Sequence, residues 1–244
     1  MKIVAAIPAR YNASRFPGKL MQILGNKSVI RHVYDNVVAS GLFDSVFVAT
    51  DSTIIYKEII SNGGVAFMSK KEHESGSDRI AEVVANMDVD VVVNIQGDEP
   101  FIQKESLEKL VFAFKNPTTL VASLMRKITR EESLKPSAVK VVVDKNNNAL
   151  YFSRHPIPYQ RNESVEPFLH VGIYGYKKEV LLAFSGWKKS MLEQAESLEQ
   201  LRFLENGINI NMVETNYISV AIDTPEDLLY AQQLLNSWFD GKTK

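Results

Sequence analysis

The fold is decided by residues 3–19, IVAAIPARYNASRFPGK. The first five residues form an apolar run with the length of a buried strand, and a proline ends that run. The loop that follows holds three cations, Arg10, Arg15 and Lys19, and no acid, while a Pro-Gly pair near its end marks a turn. A buried strand that runs directly into a polar loop is typical of the first strand of an open α/β sheet.

Helices and strands alternate in the segments that follow this loop. The predicted elements are a helix between Ser28 and Gly41, a strand over 45–50, a helix over 52–62, a strand over 65–68, a helix over about 77–87, a strand over 90–95 and a helix near 105–115. This alternation predicts an open, mostly parallel sheet covered by helices on both faces. Ligands of such sheets bind beyond the carboxyl ends of the strands, so the loops 8–19 and 96–100 and Asp51 are expected to share one rim.

The second half of the chain predicts a mixture of strands and helices. The predicted elements are strands over 120–125, 138–143, 149–153, 168–176, 208–213 and 220–222, a helix over about 191–205 and a helix from Pro225. Residues 144–148, DKNNN, read as the turn of a hairpin. Because no change in composition marks a boundary, we expect one α/β domain over 1–244 with an inserted hairpin lobe at about 126–175.

Composition excludes several classes of protein. The 244 residues include 28 Lys or Arg and 29 Asp or Glu, which give a net charge of −1, and no cysteine. A chain without cysteine has no disulfide framework, iron–sulfur cluster or cysteine–zinc site, and a reducing compartment is permitted. Near-zero net charge argues against binding nucleic acid through bulk electrostatics. No apolar run is long enough for a signal peptide or a membrane span, so no membrane insertion is expected.

The charges are unevenly distributed along the chain. Residues 1–34 hold six basic residues and no acid, residues 88–99 hold four acids and no base, and residues 203–241 hold six acids and no base. Such segregation fits a chance distribution of surface charge, and it equally fits a protein in which one segment handles anions and another handles cations.

The basic loop 8–19 suits a polyphosphate ligand. Arginine side chains fit phosphate oxygens in pairs, and a lysine adds a point charge. The loop lacks the spacing of a Walker motif and of a GxGxxG fingerprint. The same composition also fits a solvated surface loop, so the loop alone leaves both interpretations open.

Two aspartates are candidate magnesium ligands. Asp98 follows the buried strand 90–95 in the segment QGDEP, and Asp223 begins the segment DTPED. Mg²⁺ in enzymes usually takes one or two carboxylates together with substrate phosphates. Each aspartate equally suits a turn or a helix cap, and only convergence of the two on one site favours the metal.

The polar segment HESGSDR, residues 73–79, precedes a predicted helix. Ser75 and Ser77 can cap that helix, or the small residues and Arg79 can contact a base or a ribose. His170 lies in an apolar strand, where a lone histidine is more often a packed core residue than a catalyst. No Ser-His-Asp or HExxH arrangement is present, and four scattered histidines give no zinc site.

Taken together, these segments resemble the 3-deoxy-manno-octulosonate (Kdo) cytidylyltransferase family over nearly the whole chain. The resemblance lies in IPARYNASRFPGK at 7–19, VATD at 48–51, HESGSDR at 73–79, NIQGDEP at 94–100, AVKVVVD at 138–144, ALYFSR at 149–154, HVGIYGY at 170–176, LEQLR at 198–202 and IDTPEDL at 222–228. It implies a Rossmann-like nucleotidyltransferase fold and the reaction of CTP with Kdo, giving CMP-Kdo and pyrophosphate for lipopolysaccharide core synthesis. It also implies Mg²⁺ as cofactor, a cytoplasmic location and a homodimer.

The resemblance also implies roles for individual residues. The catalytic set would be Arg10, Arg15, Lys19, Asp98 and Asp223, with both aspartates holding Mg²⁺. The nucleotide-binding set would be Ala9, Arg10, Ser14, Lys19, Ser75, Gly76, Ser77, Arg79 and Gln96. The sugar-binding set would be Arg15, Gln96, His170, Tyr174, Glu199 and Gln200. The sugar's anomeric hydroxyl would attack the α-phosphorus, with charge stabilised by fixed cations and metal ions.

Three positions depart from the usual family pattern, namely Leu20, Ser77 and Leu169. Leu20 stands where proline is common, Ser77 where threonine is common, and Leu169 where many relatives have arginine. These departures leave a related acidic sugar open, such as the 8-amino analogue of Kdo. A sialic acid cytidylyltransferase is a further alternative, and the LEQLR and HVGIYGY segments argue against it. A non-catalytic nucleotide-binding protein is the alternative from another class.

Overall fold

The computed structural model describes residues 1–12, 15–161 and 165–241, so Ser14 lies outside the described residues. Its strands are β1 (Ile3–Ala9), β2 (Ile23–Leu24), β3 (Lys27–Ser28), β4 (Ser45–Thr50), β5 (Ala66–Met68), β6 (Val91–Asn94), β7 (Val121–Lys127), β8 (Lys140–Val143), β9 (Ala149–Ser153), β10 (Phe168–Lys177) and β11 (Ile210–Glu214). Its helices are α1 (Val29–Ser40), α2 (Thr53–Ser61), α3 (Gly76–Val84), α4 (Lys104–Ala113), α5 (Arg130–Ser133), α6 (Lys178–Gly186), α7 (Met191–Glu196), α8 (Leu201–Glu205) and α9 (Pro225–Gly241), with a 3₁₀ turn over Lys19–Met21.

The chain divides into two compact units. Unit 1 comprises Met1–Val89, Asn94–Lys104 and Ile218–Lys244, and unit 2 comprises Asp90–Val93 and Glu105–Tyr217. The sequence-based expectation of one domain with an inserted lobe at about 126–175 stays a prediction. Among the described residues, no helix combines the length and the apolar character needed to cross a membrane.

Unit 1 contains the parallel sheet that the alternating pattern predicts. Strand β1 pairs in parallel with β4, and β4 pairs in parallel with β5. Both β1 and β4 are almost fully buried, as expected for parallel strands covered on both faces. The prediction of short parallel strands joined by helices is therefore confirmed for this part of the chain.

Helix α1 begins and ends where its sequence signals lie. The Ser28 hydroxyl accepts a hydrogen bond from the backbone N–H of Arg31, and so caps the first turn. Gly41 ends the helix with φ of 67°, a left-handed conformation that glycine adopts without strain. The helix buries its apolar face, which includes Val33 and Val37, against the rest of unit 1.

Unit 2 is built on a mixed sheet with the strand order β11-β7-β10-β6. Strand β11 is parallel to β7, β7 is antiparallel to β10, and β8 pairs with β10 and β9 in antiparallel fashion. The predicted hairpin between β8 and β9 is confirmed. Its turn is held by Asp144, whose carboxylate accepts from the backbone N–H groups of Asn146 and Asn148 at 2.8 Å each.

Two predicted elements are wrong and several were not predicted. The helix expected over 191–205 is two helices, α7 and α8, because Ser197 adopts a left-handed conformation with φ of 53° and ends α7. Residues 220–222 form no strand; the backbone N–H of Ile222 donates instead to the carbonyl oxygen of Asp98 at 2.9 Å. The unpredicted elements are the β2–β3 hairpin, α5 and α6.

Candidate active site

Lys19 lies between the two aspartates predicted as metal ligands. Its Nζ donates to Asp98 Oδ2 and to Asp223 Oδ1, the second contact at 2.8 Å. Arg15 donates to the other carboxylate oxygen of Asp223, also at 2.8 Å. Four residues from three distant segments of the chain therefore form one ion-pair cluster within unit 1.

Lys19 reaches this cluster because the basic loop makes a tight turn before it. Gly18 has φ of 69° and begins the 3₁₀ turn, and its N–H donates to the carbonyl oxygen of Tyr11 at 3.0 Å. A β-carbon at Gly18 would lie 3.2 Å from the Tyr11 hydroxyl in addition to the strain of positive φ. The Pro-Gly pair that the sequence marks as a turn thus fixes the start of the Lys19 segment.

The loop of Asp98 approaches the end of β1 closely. The N–H of Ile95 donates to the carbonyl oxygen of Ala6, so this segment runs beside β1. A β-carbon at Gly97 would lie 3.2 Å from the carbonyl oxygen of Pro8 and 3.1 Å from the side chain of Ile30. Glycine at position 97 is therefore what allows the Asp98 loop and the basic loop to lie together.

Asp223 is not the cap of α9, although the sequence left that interpretation open. The cap is Thr224, whose hydroxyl accepts from the N–H of Asp227 at 3.2 Å. The Asp227 carboxylate accepts in return from the N–H groups of Asp223 and Thr224 at 3.0 and 2.8 Å. This reciprocal capping arrangement fixes the backbone of Asp223 and leaves its carboxylate for Lys19 and Arg15.

The electrostatics of the cluster follow from its partial burial. Burial lowers the pKa of Lys19, but the Asp98 and Asp223 carboxylates raise it by more, so the pKa is raised overall. Burial raises the pKa of Asp223, but the hydrogen bond and charge of Lys19, assisted by Arg15, lower it by more. Both groups are held in their charged forms at neutral pH.

The other residues of the predicted phosphate set lie at the surface of the same loop. Arg10 is exposed, Ala9 is buried at the end of β1, and the Arg15 side chain is 68% exposed. Gln96 lies half-buried at the start of the Asp98 loop. The basic loop therefore holds one shielded cation, Lys19, and two cations that face solvent.

The cluster has the donor set that a magnesium ion uses. Two carboxylates that converge on one cation can serve a hard divalent ion, which completes its shell with water and phosphate oxygens. Within the described ranges, no group of three or more His, Asp or Glu side chains is arranged to hold a metal. Asp98 and Asp223 thus fit a metal that depends on its substrate for further ligands.

The predicted cytidine-binding residues form a second group in unit 1. Arg79 is buried and donates to the Asp51 carboxylate at 2.6 Å and to the Ser69 hydroxyl at 3.1 Å. Ser75 caps α3, since its hydroxyl accepts from the N–H of Asp78 at 3.1 Å. Both Arg79 and Asp51 therefore belong to one fixed arrangement beside the start of α3.

The N-terminus of α3 lies close to the basic loop. A β-carbon at Gly76 would lie 3.0 Å from the Pro8 ring, so glycine permits this approach. Ser77, in the first turn, is buried. Because the N-terminus of a helix carries a partial positive charge, it adds to the field of the loop cations.

The predicted sugar-binding residues of unit 2 form a third group. The rings of His170 and Tyr174 have centroids 5.2 Å apart, and His170 also makes an edge contact with Phe152 at 5.1 Å. Burial lowers the pKa of His170 to about 3, so this ring is neutral at physiological pH. Burial raises the pKa of Tyr174 well above its ordinary value, and the nearby charge of Glu199 raises it further.

Gln200 carries an unsatisfied donor in the same unit. The residue is 6% exposed, and its Nε2 has no hydrogen-bond partner among the described residues. A buried amide without a partner costs about 1–3 kcal/mol, so this N–H can donate to a bound ligand or to a water molecule. Arg15 and Gln96, which complete the predicted sugar set, lie in unit 1.

Arg202 is a structural residue of this region that the sequence reasoning missed. It is buried and donates through Nε to Glu193 at 2.7 Å and through Nη2 to the other carboxylate oxygen. Its guanidinium also lies 4.1 Å from the centre of the Phe184 ring. The pair joins α7 to α8 and so fixes the connection that carries Glu199 and Gln200. The sequence signal for its partner Glu193 was the spacing Ser190-x-x-Glu193, a capping-box pattern that predicts the start of α7.

The fold and the clustered basic and acidic side chains are those of a nucleotidyltransferase, and comparison with known proteins makes it a cytidylyltransferase. A family model described as cytidylyltransferase matches residues 4–210. A 3-deoxy-manno-octulosonate cytidylyltransferase of Flavobacterium johnsoniae is 55% identical over 241 residues, which cover 96% of this chain and 99% of that protein. The protein of the same name from Christiangramia forsetii is 52% identical, with 96% of this chain and 97% of that protein covered. The chain belongs to the 3-deoxy-manno-octulosonate cytidylyltransferase family.

A solved structure supports the same conclusion and confirms the fold class. It is described as CMP:2-keto-3-deoxy-manno-octonic acid synthetase complexed with CTP. The two chains are 42% identical and superpose with a TM-score of 0.94, covering 97% of this chain and 99% of the other. The predicted α/β nucleotidyltransferase fold, a mostly parallel sheet flanked by helices, is therefore confirmed.

Proposed function

We propose that this protein transfers the cytidylyl group of CTP to the anomeric hydroxyl of Kdo, with release of pyrophosphate, for synthesis of the lipopolysaccharide core. The hydroxyl oxygen of the sugar forms a bond to the α-phosphorus. The bond from that phosphorus to the bridging oxygen of pyrophosphate breaks, and the hydroxyl proton leaves. Family membership at 55% identity and the Lys19–Asp98–Asp223 cluster support this proposal.

The cluster is the observation that carries the proposal. Arg10 and Arg15 face solvent beside the shielded Lys19, an arrangement that suits the phosphates of a nucleotide. The transition state gathers negative charge on the phosphoryl oxygens and the leaving group, and fixed cations stabilise that charge. Ser14 is proposed as a further phosphate ligand from the resemblance alone.

Asp98 and Asp223 are proposed to hold Mg²⁺, which when bound supplies charge neutralisation and orientation of the phosphates. The role of the protein is to keep two carboxylates in place and ionised. Asp223 is suited to this role because its backbone is fixed by Thr224 and Asp227 and its pKa is lowered. Asp98 is suited to it because Gly97 lets its loop approach β1.

The cytidine is proposed to bind beside α3, at Ser75, Gly76, Ser77 and Arg79. Arg79 already donates to Asp51 and Ser69, so its guanidinium is held in one orientation. A fixed donor of this kind discriminates between bases better than a mobile one, because no rotamer freedom is lost on binding. Gln96 and Ala9 complete the proposed nucleotide set.

The sugar is proposed to bind at His170, Tyr174, Glu199 and Gln200 of unit 2, and the resemblance alone adds Arg15 and Gln96, which are residues of unit 1. The unpaired Gln200 amide supports this proposal, because the hydroxyls of a sugar acid can accept from it. A related acidic sugar, the 8-amino analogue or a sialic acid, is the second candidate. Leu169 stands where many relatives have arginine, and this difference is the reason to test the 8-amino analogue. We further propose a cytoplasmic homodimer.

Pyrophosphate release by the purified protein tests this proposal. The assay contains CTP and Mg²⁺ with Kdo, 8-amino-Kdo or a sialic acid, and CMP-sugar formation is checked by mass spectrometry. Release with Kdo supports the proposal, and release with another sugar alone redirects it to that sugar. Binding of CTP without turnover of any of the three sugars supports the non-catalytic alternative.

Asp98→Asn tests the site within the same assay. This variant should reduce turnover by at least about 100-fold, the effect typical of losing one group that organises transition-state charge. Asp35→Asn is a matched control, because Asp35 also pairs with two cations of unit 1, Lys27 and Arg31, each at 2.8 Å. The control should keep wild-type turnover, and equal loss in both variants would contradict the proposed role.

A further inference from the structure

Strand β10 contains an irregularity at the point where the proposed sugar pocket lies. Val171 pairs with Leu124 of β7, but the next pair along the ladder is Tyr174 with Ser123. While β7 advances by one residue, β10 advances by three. Gly172 and Ile173 therefore form a bulge between the two pairs.

This bulge brings His170 and Tyr174 together. Two residues four apart in a regular strand are separated by roughly 13 Å, since each residue advances the strand by about 3.3 Å. The ring centroids of His170 and Tyr174 are nevertheless only 5.2 Å apart. The extra residues between them shorten the path, so the aromatic contact depends on the bulge.

Ser123 occupies the inner side of the bulge. The residue is fully buried, and its Oγ lies 2.9 Å from the carbonyl oxygen of Ile173 and 3.3 Å from that of Val171. The same Oγ lies 3.0 Å from Nε2 of His170. One hydroxyl thus contacts the carbonyl group of the bulge residue Ile173, the carbonyl group of Val171 beside the bulge, and the ring of a proposed sugar ligand.

The Ser123 hydroxyl has a single hydrogen, and the place of that hydrogen decides which ring nitrogen of His170 is protonated. A serine hydroxyl has one hydrogen and two lone pairs, and a carbonyl oxygen can only accept. The hydroxyl hydrogen must therefore serve the carbonyl groups, since a buried oxygen–oxygen contact of 2.9 Å without a hydrogen is unfavourable. The remaining contact requires His170 Nε2 to be the donor. Because the ring is neutral, Nδ1 then carries no hydrogen and is an acceptor.

Nδ1 of His170 has no hydrogen bond to any described residue, and the residue as a whole is half-buried rather than fully enclosed. An acceptor with this environment is available to a ligand. The hydrogen-bond donors of an acidic sugar are its hydroxyl groups, which match such an acceptor.

We infer that Ser123 is a positioning residue of the sugar pocket, whose hydroxyl holds the β10 bulge and fixes His170 as the Nε2–H tautomer, so that Nδ1 accepts from a substrate hydroxyl. This inference rests on the proposed function for the role of His170 in sugar binding. The hydrogen arrangement itself does not depend on any activity, and the two parts are therefore tested by separate measurements.

The first test is nitrogen NMR of the full chain labelled with ¹⁵N-histidine. The four histidines are assigned by comparison with His170→Gln, which removes one pair of signals. At pH 7 the His170 pair should show a protonated Nε2 and a bare Nδ1. A protonated Nδ1 would overturn the inference, whatever the result of the activity assay, and this measurement does not depend on whether the Ser123→Ala variant folds.

The second test is Ser123→Ala in steady-state kinetics with CTP and Kdo. We expect the KM for Kdo to rise about tenfold, the loss of one neutral hydrogen bond, while the KM for CTP changes by less than about twofold. The His170 signals should shift toward a mixture of tautomers. Unchanged tautomer signals together with an unchanged KM for Kdo would refute the role of Ser123.

Ser133→Ala is the matched control for both measurements. Ser133 is a buried serine of the same unit, and its hydroxyl donates to the carbonyl oxygen of Arg130 at 2.6 Å without contact to a histidine. It should leave the tautomer and the KM for Kdo as in the wild type. Equal changes in the two variants would assign the effect to general loss of packing and would reject the specific role of Ser123. A wild-type protein that does not use Kdo would refute the proposed function and leave the NMR result standing.

Discussion

Lys19→Met removes the cation that separates two carboxylates. Nζ of Lys19 lies 2.8 Å or less from one oxygen of Asp98 and one of Asp223, so these two oxygens are at most twice that distance, about 5.6 Å, apart. The repulsion between the two carboxylates is present with and without Lys19, so what Lys19→Met removes is their attraction to Nζ. For a pair of opposite unit charges at 2.8 Å this attraction is roughly 1.5 kcal/mol in water and roughly 6 kcal/mol at an effective dielectric constant of 20. The Asp98 and Asp223 side chains are 22% and 35% exposed, so solvent screening places the expected loss near 1–2 kcal/mol.

The loss has a defined dependence on metal and pH. Mg²⁺ between the carboxylates replaces the missing charge, so the free energy of unfolding of the variant should rise more with Mg²⁺ than that of the wild type. The pKa of Asp223 is lowered in the folded wild-type protein, so its ion pair stabilises the fold above the unfolded-state value of 3.8 and is lost as pH falls. The difference between variant and wild type should therefore be largest near pH 7 and should shrink toward pH 3.

Urea denaturation at pH 7, with EDTA or with Mg²⁺, measures these differences. Lys27→Met is the control, because Lys27 pairs with Asp35 at the surface of the same unit and Asp35 keeps Arg31 as a second partner. Lys27→Met should change the free energy of unfolding by less than about 0.5 kcal/mol. If Lys19→Met were as stable as the wild type in EDTA, or gained nothing extra from Mg²⁺, the interpretation of the cluster would be refuted.

Three further predictions concern the Asp98 loop of unit 1 and the buried Arg202–Glu193 pair of unit 2. Asp98→Asn should bind CTP several-fold more tightly than the wild type when EDTA removes the metal, since one negative charge facing the phosphates is lost; calorimetry measures this, and weaker binding would contradict it. Gly97→Ala should lower the free energy of unfolding by about 1–3 kcal/mol in a urea titration, because its β-carbon would meet the Pro8 carbonyl oxygen at 3.2 Å. Arg202→Met should destabilise by about 3–5 kcal/mol in the same titration, because it leaves the buried Glu193 carboxylate unpaired, and Glu193→Leu in addition should recover part of that loss.

The parallel half of the fold follows from local patterns that the sequence carries in full. Strand β1 is a continuous apolar run, α1 has Ser28 and Gly41 at its ends, and each signal acts within a few residues. The break at Ser197 was missed for a different reason. Left-handed serine is unfavourable locally, so only the tertiary contacts around it, among them the buried Arg202–Glu193 pair, can hold it.

The residues of the Lys19–Asp98–Asp223 cluster could be singled out from the sequence, but their arrangement could not. Asp223 reads equally as a cap or a ligand in the sequence, and the structure separates these interpretations because Thr224 and Asp227 cap the helix. The Ser123 hydroxyl gives no sequence signal at all, since a serine in an apolar strand is unremarkable. Its importance arises from a bulge in a neighbouring strand, and pairing register between distant segments is not encoded in any local pattern.

The net charge of the chain is near zero because its basic and acidic segments cancel, and the charges of the Lys19–Asp98–Asp223 cluster cancel in the same way once Arg15 is included. Lys19 comes from the acid-free first 34 residues, Asp98 from the acidic stretch 88–99 and Asp223 from the base-free stretch 203–241, and these three meet in one cluster. With Arg15 the cluster holds two positive and two negative side chains, so its formal charge is zero. A neutral cluster attracts a polyphosphate only weakly, whereas a divalent cation held by the two aspartates would free Lys19 and Arg15 for the phosphates. We therefore propose that nucleotide and metal binding are coupled through the same four side chains, because each carboxylate that held the metal would release a cation for the nucleotide.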